Sequence, residues 1–424
     1  MIILCGIVLS SCTANAIEND VENQYLERDF YVSSVVCDFE NESQSINRDE
    51  MRAIWVSQFD MKPIYRNGNK QRDKDDYTEK VKILISNLKR DGFNTVFLQL
   101  RPNGDSMYES KLFPTSKYVA GVYGGNIDYD VIEIFLSIAK ENNISVHAWI
   151  NPFRLCYEDE MKNGGFGKLY EWYTNDLGGR IKKGDDGLLY LDPYYTEATE
   201  IIVGGAKEIL KNYDFDGIHI DDYFYPTEFE FDDEKEFISS KQKDKGEFRR
   251  ENISRTVKAL YDAVHGFDGK VFGISPAGNI YSLPKKWYAD IYKWCSEDGY
   301  IDYVVPQLYF GFENAVCPFE KILSDWEDAV TNEKIDLYIG LSAAKCVDGA
   351  LGKEDKFAGE KGKFEWRDNK DILSRSIEEI YDSDKAKGFA IFTYSSFYDP
   401  LTGKDNELIT EEKTAFCEAS QIQQ

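Results

Sequence analysis

Residues 216–226 read DGIHIDDYFYP. Ile218 and Ile220 flank His219, and the run closes on two adjacent carboxylates, Asp221 and Asp222. A short apolar run with its acids held to the end is the pattern of a buried parallel strand whose last residues do chemistry. A helix-stopping turn, Tyr213-Asp214-Phe215-Asp216-Gly217, leads into it. Working outward, seven further runs of the same type appear: Arg52–Gln58 (RAIWVSQ), Thr95–Arg101 (TVFLQLR), Ser145–Asn151 (SVHAWIN), Val271–Pro276 (VFGISP), Tyr303–Tyr309 (YVVPQLY), Leu337–Ser342 (LYIGLS) and Phe389–Tyr394 (FAIFTY). Between them, apolar residues recur at three-four spacing: Val81, Leu84, Ile85, Leu88; Val131, Ile134, Phe135, Ile138; Ile253, Val257, Leu260, Val264. That is the spacing of amphipathic helices. Eight strand–helix repeats predict an α/β chain closed into a (β/α)₈ TIM barrel with long βα loops over residues 51–400, followed by a C-terminal extension, 401–424. An open doubly wound sheet is disfavoured, because no glycine-rich phosphate loop follows the first run.

In such a barrel the C-terminal strand ends line the active site. Side chains alternate along a strand, so residues two apart share a face. His219 and Asp221 form one set; His147, Trp149 and Asn151 a second; Gln99 and Arg101 a third; Gln307 and Tyr309 a fourth. Tyr394 stands at the end of the eighth run. If each set faces the axis, carboxylate, imidazoles, guanidinium, amides and rings converge on a polyhydroxylated ligand, with amides and arginine bonding hydroxyls and rings stacking on sugar faces. Asp221 is the first candidate for catalysis, since two adjacent carboxylates are costly to bury without purpose. Asp222 joins it only if the strand breaks there; otherwise it holds the loop. His147 and His219 read as hydrogen-bonded core histidines or as ligand contacts. Arg101 reads as a ligand contact or as an ion-pair partner that lowers the pKa of Asp221. Tyr223 belongs to a wall at the site's edge.

Composition narrows the partners. The formal net charge of −26 over 424 residues excludes a basic nucleic-acid footprint and favours an uncharged substrate. With eight cysteines, no CxxC and three histidines, no zinc cluster is expected, nor any cofactor. The acidic stretch 228–234 (EFEFDDE) reads as solvated surface rather than a Ca²⁺ loop. Met1–Leu9 is an apolar run too short to span a bilayer, and it leads into Leu9-Ser10-Ser11-Cys12. Residues 1–12 therefore read as a signal peptide with a bacterial lipobox, Cys12 being the lipidated residue. No Lys or Arg precedes the run, which leaves open a start further upstream. Residues 13–50 form a polar linker that spaces a lipid-anchored, extracytoplasmic barrel from the membrane.

The segments LQLRPNGDSMY, VHAWINPFR, DGIHIDDYFYP, GISPAGN, YVVPQLYF and GFAIFTYSSF, in this order, resemble the glycosyl hydrolase-like 10 family over about residues 50–400. The resemblance implies a bacterial, often lipid-anchored barrel glycosidase, with the family's acidic pair at Asp221 and Asp222. For some relatives it implies peptidoglycan glycan strands stripped of stem peptides as substrate. The strand is also similar to chitinase strands, but His219 and Tyr223 stand where those carry acids. Two mechanisms follow. In one, Asp221 is nucleophile or base, and a loop acid (Asp60, Asp105, Asp192 or Glu313) protonates the leaving group. In the other, the substrate's N-acetyl group attacks while Asp221 and Asp222 divide the orienting and protonating roles. The rival readings are a carbohydrate-binding barrel without turnover and a glycosidase acting on another polysaccharide, such as an α-glucan.

Overall fold

The computed structural model describes residues 50–176, 179–226 and 231–421. The signal and lipobox, Cys12 included, almost all of the linker, and Glu228–Glu230 lie outside the described residues. Eight strands form the centre: β1 (Met51–Val56), β2 (Thr95–Arg101), β3 (Ser145–Ile150), β4 (Gly217–Ile220), β5 (Val271–Ile274), β6 (Tyr303–Val304), β7 (Asp336–Ser342) and β8 (Ala386–Phe392). Each pairs in parallel with its neighbours, and β8 returns to β1 with Met51 opposite Gly388, so the barrel closes as expected.

Each strand is followed by a helix: α1 (Lys74–Arg90), α2 (Val131–Glu141), α3 (Thr196–Asn212), α4 (Lys245–Val264), α5 (Ile291–Trp294), α6 (Phe319–Ala329), α7 (Ile372–Asp382) and α8 (Thr410–Gln421). Asp73, Asp130 and Asp244 accept backbone N–H bonds at the starts of α1, α2 and α4, satisfying donors that a helix start leaves unpaired. The predicted apolar stripes face inward; of the twelve named residues only Ile134 is partly exposed. Gly92, at φ +81°, makes the left-handed turn from α1 into β2.

The barrel interior is filled by Ala53, Trp55, Phe97, Trp149, Tyr303, Val305, Tyr338 and Ala390. Two inward glycines make room for the largest of these. A Cβ on Gly273 would stand 2.0 Å from the Tyr303 ring, and one on Gly340 would stand 3.2 Å from Trp55. At the seam between β1 and β8, Asp60 accepts bonds from the Ser57 N–H (2.7 Å), the Thr393 hydroxyl (2.6 Å) and the Ser395 N–H (3.0 Å).

Two sequence expectations need correction here. Residues 401–421 are no extension, because they carry the barrel's eighth helix. Phe416 packs on Phe93, Phe389 and Phe397, and the Glu412 carboxylate accepts the Leu373 N–H at the start of α7. In the stretch read as solvated surface, Asp233 is fully buried and held by one edge of the Arg249 guanidinium, Nε and Nη2 (2.6 and 2.7 Å), and by the Tyr225 hydroxyl (2.7 Å). At the opposite end from the strand C-termini, the Tyr381 hydroxyl donates to Glu50 (2.9 Å) and lies 3.4 Å from the Ser420 carbonyl, so the two ends of the barrel chain meet there.

Candidate active site

The site is built upward from a floor inside the barrel. His219 on β4 is fully buried and lies parallel to Phe97, with ring centroids 4.0 Å apart. Its Nε2 receives the Trp55 indole N–H (3.3 Å) and also meets the Ser275 hydroxyl (3.0 Å). Indole nitrogen only donates, so His219 Nε2 accepts and its proton sits on Nδ1, 3.1 Å from the Tyr303 hydroxyl. Tyr303 then donates to His147 Nδ1 at 2.7 Å. This assignment makes both rings neutral, and burial accordingly pushes both histidine pKa values down. His147 and His219 were candidate ligand contacts. At 4% and 0% exposure they are the floor beneath the mouth instead.

The mouth lies one residue further along each strand face. β4 ends at Ile220, so strand alternation does not carry through Asp221 to Asp222. Asp221, 4% exposed, accepts from the Trp149 indole on β3 (3.1 Å) and from the Tyr223 N–H (3.3 Å). Asp222, partly exposed, lies beside the Gln307 amide, which donates to the Ser275 carbonyl at 3.0 Å. Asp221 is thus held from the β3 side and Asp222 from the side of β5 and β6. Burial pushes both carboxyl pKa values upward, and the Asp222 charge pushes Asp221 further. Two interacting carboxyls with raised affinity for protons carry about one proton between them near neutrality.

Amides and rings frame the pair. Gln99 accepts from the Gln58 N–H (3.0 Å) and donates to Asn151 (3.2 Å), so both amides sit at the β1–β3 rim. Tyr309 lies against Phe392, with centroids 5.9 Å apart, and forms a wall on the β6 and β8 side. Arg154, four residues beyond β3, covers the Tyr223 ring at 4.7 Å and acts electrostatically on both Asp221 and Asp222. Sequence reasoning passed over Arg154, although it stands in the same Asn151-Pro152-Phe153-Arg154 turn. It also passed over the floor residues Trp55, Ser275 and Tyr303. The first and last of these fall on inward strand positions; Ser275 directly follows β5.

Two candidates do not join the site. The β2 ladder is irregular between Gln99 and Arg101, and the shift turns Arg101 outward. Its guanidinium lies 3.6 Å over the Phe113 ring and against Gly205 of α3, so it pairs with neither Asp221 nor a ligand at the mouth. Tyr394 opens a short helix, is fully buried, and accepts from Asn87 of α1 (3.3 Å). The four loop acids are likewise engaged elsewhere: Asp60 at the seam, Asp105 by the Asn103 N–H (2.8 Å), Asp192 by Lys182 (3.0 Å) and Glu313 by Lys361 (3.4 Å). Among the described residues no three His, Cys, Asp or Glu side chains are grouped to hold a metal ion.

The profile of the glycosyl hydrolase-like 10 family matches residues 50–358. The glycosyl hydrolase YngK of Bacillus subtilis (strain 168) is 30% identical over 324 residues, which is 70% of this chain and 61% of YngK, so the alignment spans less than two thirds of that relative. The glycosyl hydrolase DigH of Escherichia coli (strain K12) is 28% identical over 331 residues, covering 70% of this chain and 73% of DigH. Among solved structures, the glycoside hydrolase domain of PgaB (BpsB) from Bordetella bronchiseptica superposes with a TM-score of 0.53 at 12% identity, over 83% of this chain and 97% of that domain. At that identity the likeness is one of fold.

Proposed function

This chain belongs to the glycosyl hydrolase-like 10 family, and from that premise we propose that it hydrolyses O-glycosyl bonds in a bacterial cell-wall polysaccharide, namely peptidoglycan glycan strands that have lost their stem peptides. The observation carrying this reading is the carboxyl pair at the barrel mouth, Asp221 held by Trp149 and Asp222 beside the Gln307 amide. The pair sits under amide donors and beside the Tyr309–Phe392 wall, a lining suited to hydroxyl-rich rings. The loop acids proposed as proton donors are tied elsewhere, which favours the mechanism that needs only the adjacent pair. In this reading Asp221, the more deeply buried carboxyl, carries the proton and gives it to the glycosidic oxygen as the C–O bond breaks. Asp222, ionised, accepts the acetamide N–H of the substrate and orients its carbonyl oxygen to bond the anomeric carbon. Water then opens the resulting oxazolinium ion, its oxygen bonding the anomeric carbon and one proton returning to Asp221.

The test is incubation of the purified chain with denuded glycan strands and analysis of the products. Release of short fragments is expected, and Asp221→Asn should lose about 10²–10⁴-fold in rate, the usual contribution of a positioned acid, with its circular dichroism unchanged. Binding to the strands without fragment release would make the protein a binder instead. We also propose that the chain is lipid-anchored outside the cytoplasm through Cys12, on the strength of the Leu9-Ser10-Ser11-Cys12 motif. Cys12→Ala should move the protein from the membrane fraction to the soluble fraction; unchanged fractionation would refute the anchor.

A further inference from the structure

The turn after β3 holds two sets of hydrogen-bond donors that nothing in the fold uses. Arg154 Nε donates to the Pro102 carbonyl at 3.1 Å, and its guanidinium plane rests on Tyr223. These two contacts fix the plane while leaving both terminal nitrogens without a partner among the described residues. The side chain is partly exposed, and neither Asp221 nor Asp222 forms an ion pair with it, although both feel its charge. Three residues earlier, Asn151 is 1% exposed, with its oxygen taken by Gln99 and its Nδ2 without a partner. A buried donor left unpaired is costly, and sites that bind polar ligands are where such donors persist.

From these residues we infer an anion subsite beside the carboxyl pair, in which the two terminal nitrogens of Arg154 grip a carboxylate carried by the bound sugar and Asn151 donates to the same ring. Guanidinium matches carboxylate with two parallel N–H···O bonds, and a fork already held in place gives up little freedom on binding. The charge of the whole chain opposes an anionic ligand only at long range. A net charge of −26 repels an anionic polymer at long range, but salt screens that repulsion beyond about 8 Å, so one cation at the mouth decides the local preference. The inference rests on the substrate reading above: removing the stem peptide exposes a free lactyl carboxylate on every second sugar of the strand. An intact stem would convert that carboxylate to an amide and remove the charge. Arg154 is therefore a specificity residue, and its partner is the group that distinguishes denuded strands from peptide-bearing ones.

The experiment compares denuded strands with the same strands amidated at the lactyl carboxylate, with chitin oligomers, and with a glucuronate-bearing glycan. KM and kcat are measured for the wild type, Arg154→Gln and Arg154→Lys, each checked for an unchanged melting temperature. Binding of the same four ligands is measured on the Asp221→Asn chain with and without Arg154→Gln. The wild type should prefer denuded over amidated strands by about tenfold or more in KM, the scale of one charge-assisted bidentate contact. Arg154→Gln should erase that preference by weakening only the carboxylated ligand, and Arg154→Lys should restore part of it. Equal affinity of wild type for the denuded and amidated strands, or an equal loss on both in Arg154→Gln, overturns the subsite. A preference for glucuronate over the lactyl strand keeps a carboxylate subsite and reassigns its source. If no ligand is cleaved but Arg154-dependent binding persists, the hydrolase reading fails and the subsite stands.

Discussion

At the scale of the residue, Asp221 links the site's chemistry to the protein's stability. Its carboxyl holds its proton more tightly in the folded chain than in the unfolded one, first because it is buried and then because Asp222 is beside it. Below the ordinary carboxylate pKa of about 3.9 both states are protonated and Asp221 favours the fold in full. As pH rises, the unfolded chain ionises freely while the folded chain resists, so this contribution is lost as pH climbs through the raised value. Asp221→Asn removes the penalty. At pH 8 the variant should melt roughly 2–4 °C above the wild type, and at pH 4 the two should coincide. Differential scanning calorimetry at the two pH values checks this, and a gap that widens on acidification would contradict it. Asp221 could be singled out from sequence because it shares a face with His219. That His219 is floor and not ligand contact was not legible, because alternation gives the face of a strand and not the depth within the barrel.

At the scale of the element, the eight strands were readable because each is apolar on both faces, and only a parallel sheet covered by helices makes that pattern useful. Departures from the reading fall where local geometry breaks period two. β6 pairs as a regular strand over Tyr303–Val304 alone, because Pro306 has no N–H for the ladder. The irregularity before Arg101 reverses its face, and Tyr394 lies past the end of β8 in a helical turn. The last helix was missed for another reason: α8 has a weakly periodic sequence, and its partners, Phe93, Phe389 and Phe397, all lie outside the helix, Phe93 far away in the chain. Its removal should nevertheless be severe. Losing one buried Phe costs about 3–5 kcal/mol, and deleting α8 also strips Glu412 from the start of α7. A chain ending at Pro400 should be insoluble or melt at least about 10 °C below one ending at Gln421, given a few degrees per kcal/mol. Equal melting temperatures would return the segment to the status of an appendage.

At the scale of the whole molecule, the barrel separates what holds it together from what it does. The seam carboxylate Asp60, the inward glycines under Tyr303 and Trp55, and the neutral histidine network make a rigid base. A rigid base allows the mouth to keep Arg154 and Asn151 with donors in reserve. The meeting of Glu50, Tyr381 and Ser420 lies at the opposite pole from Asp221. Glu50, the first described residue, thus enters β1 from the back of the barrel. A label or solid support coupled at that pole would leave the mouth, with Asp221 and Asp222, open to bulk solution.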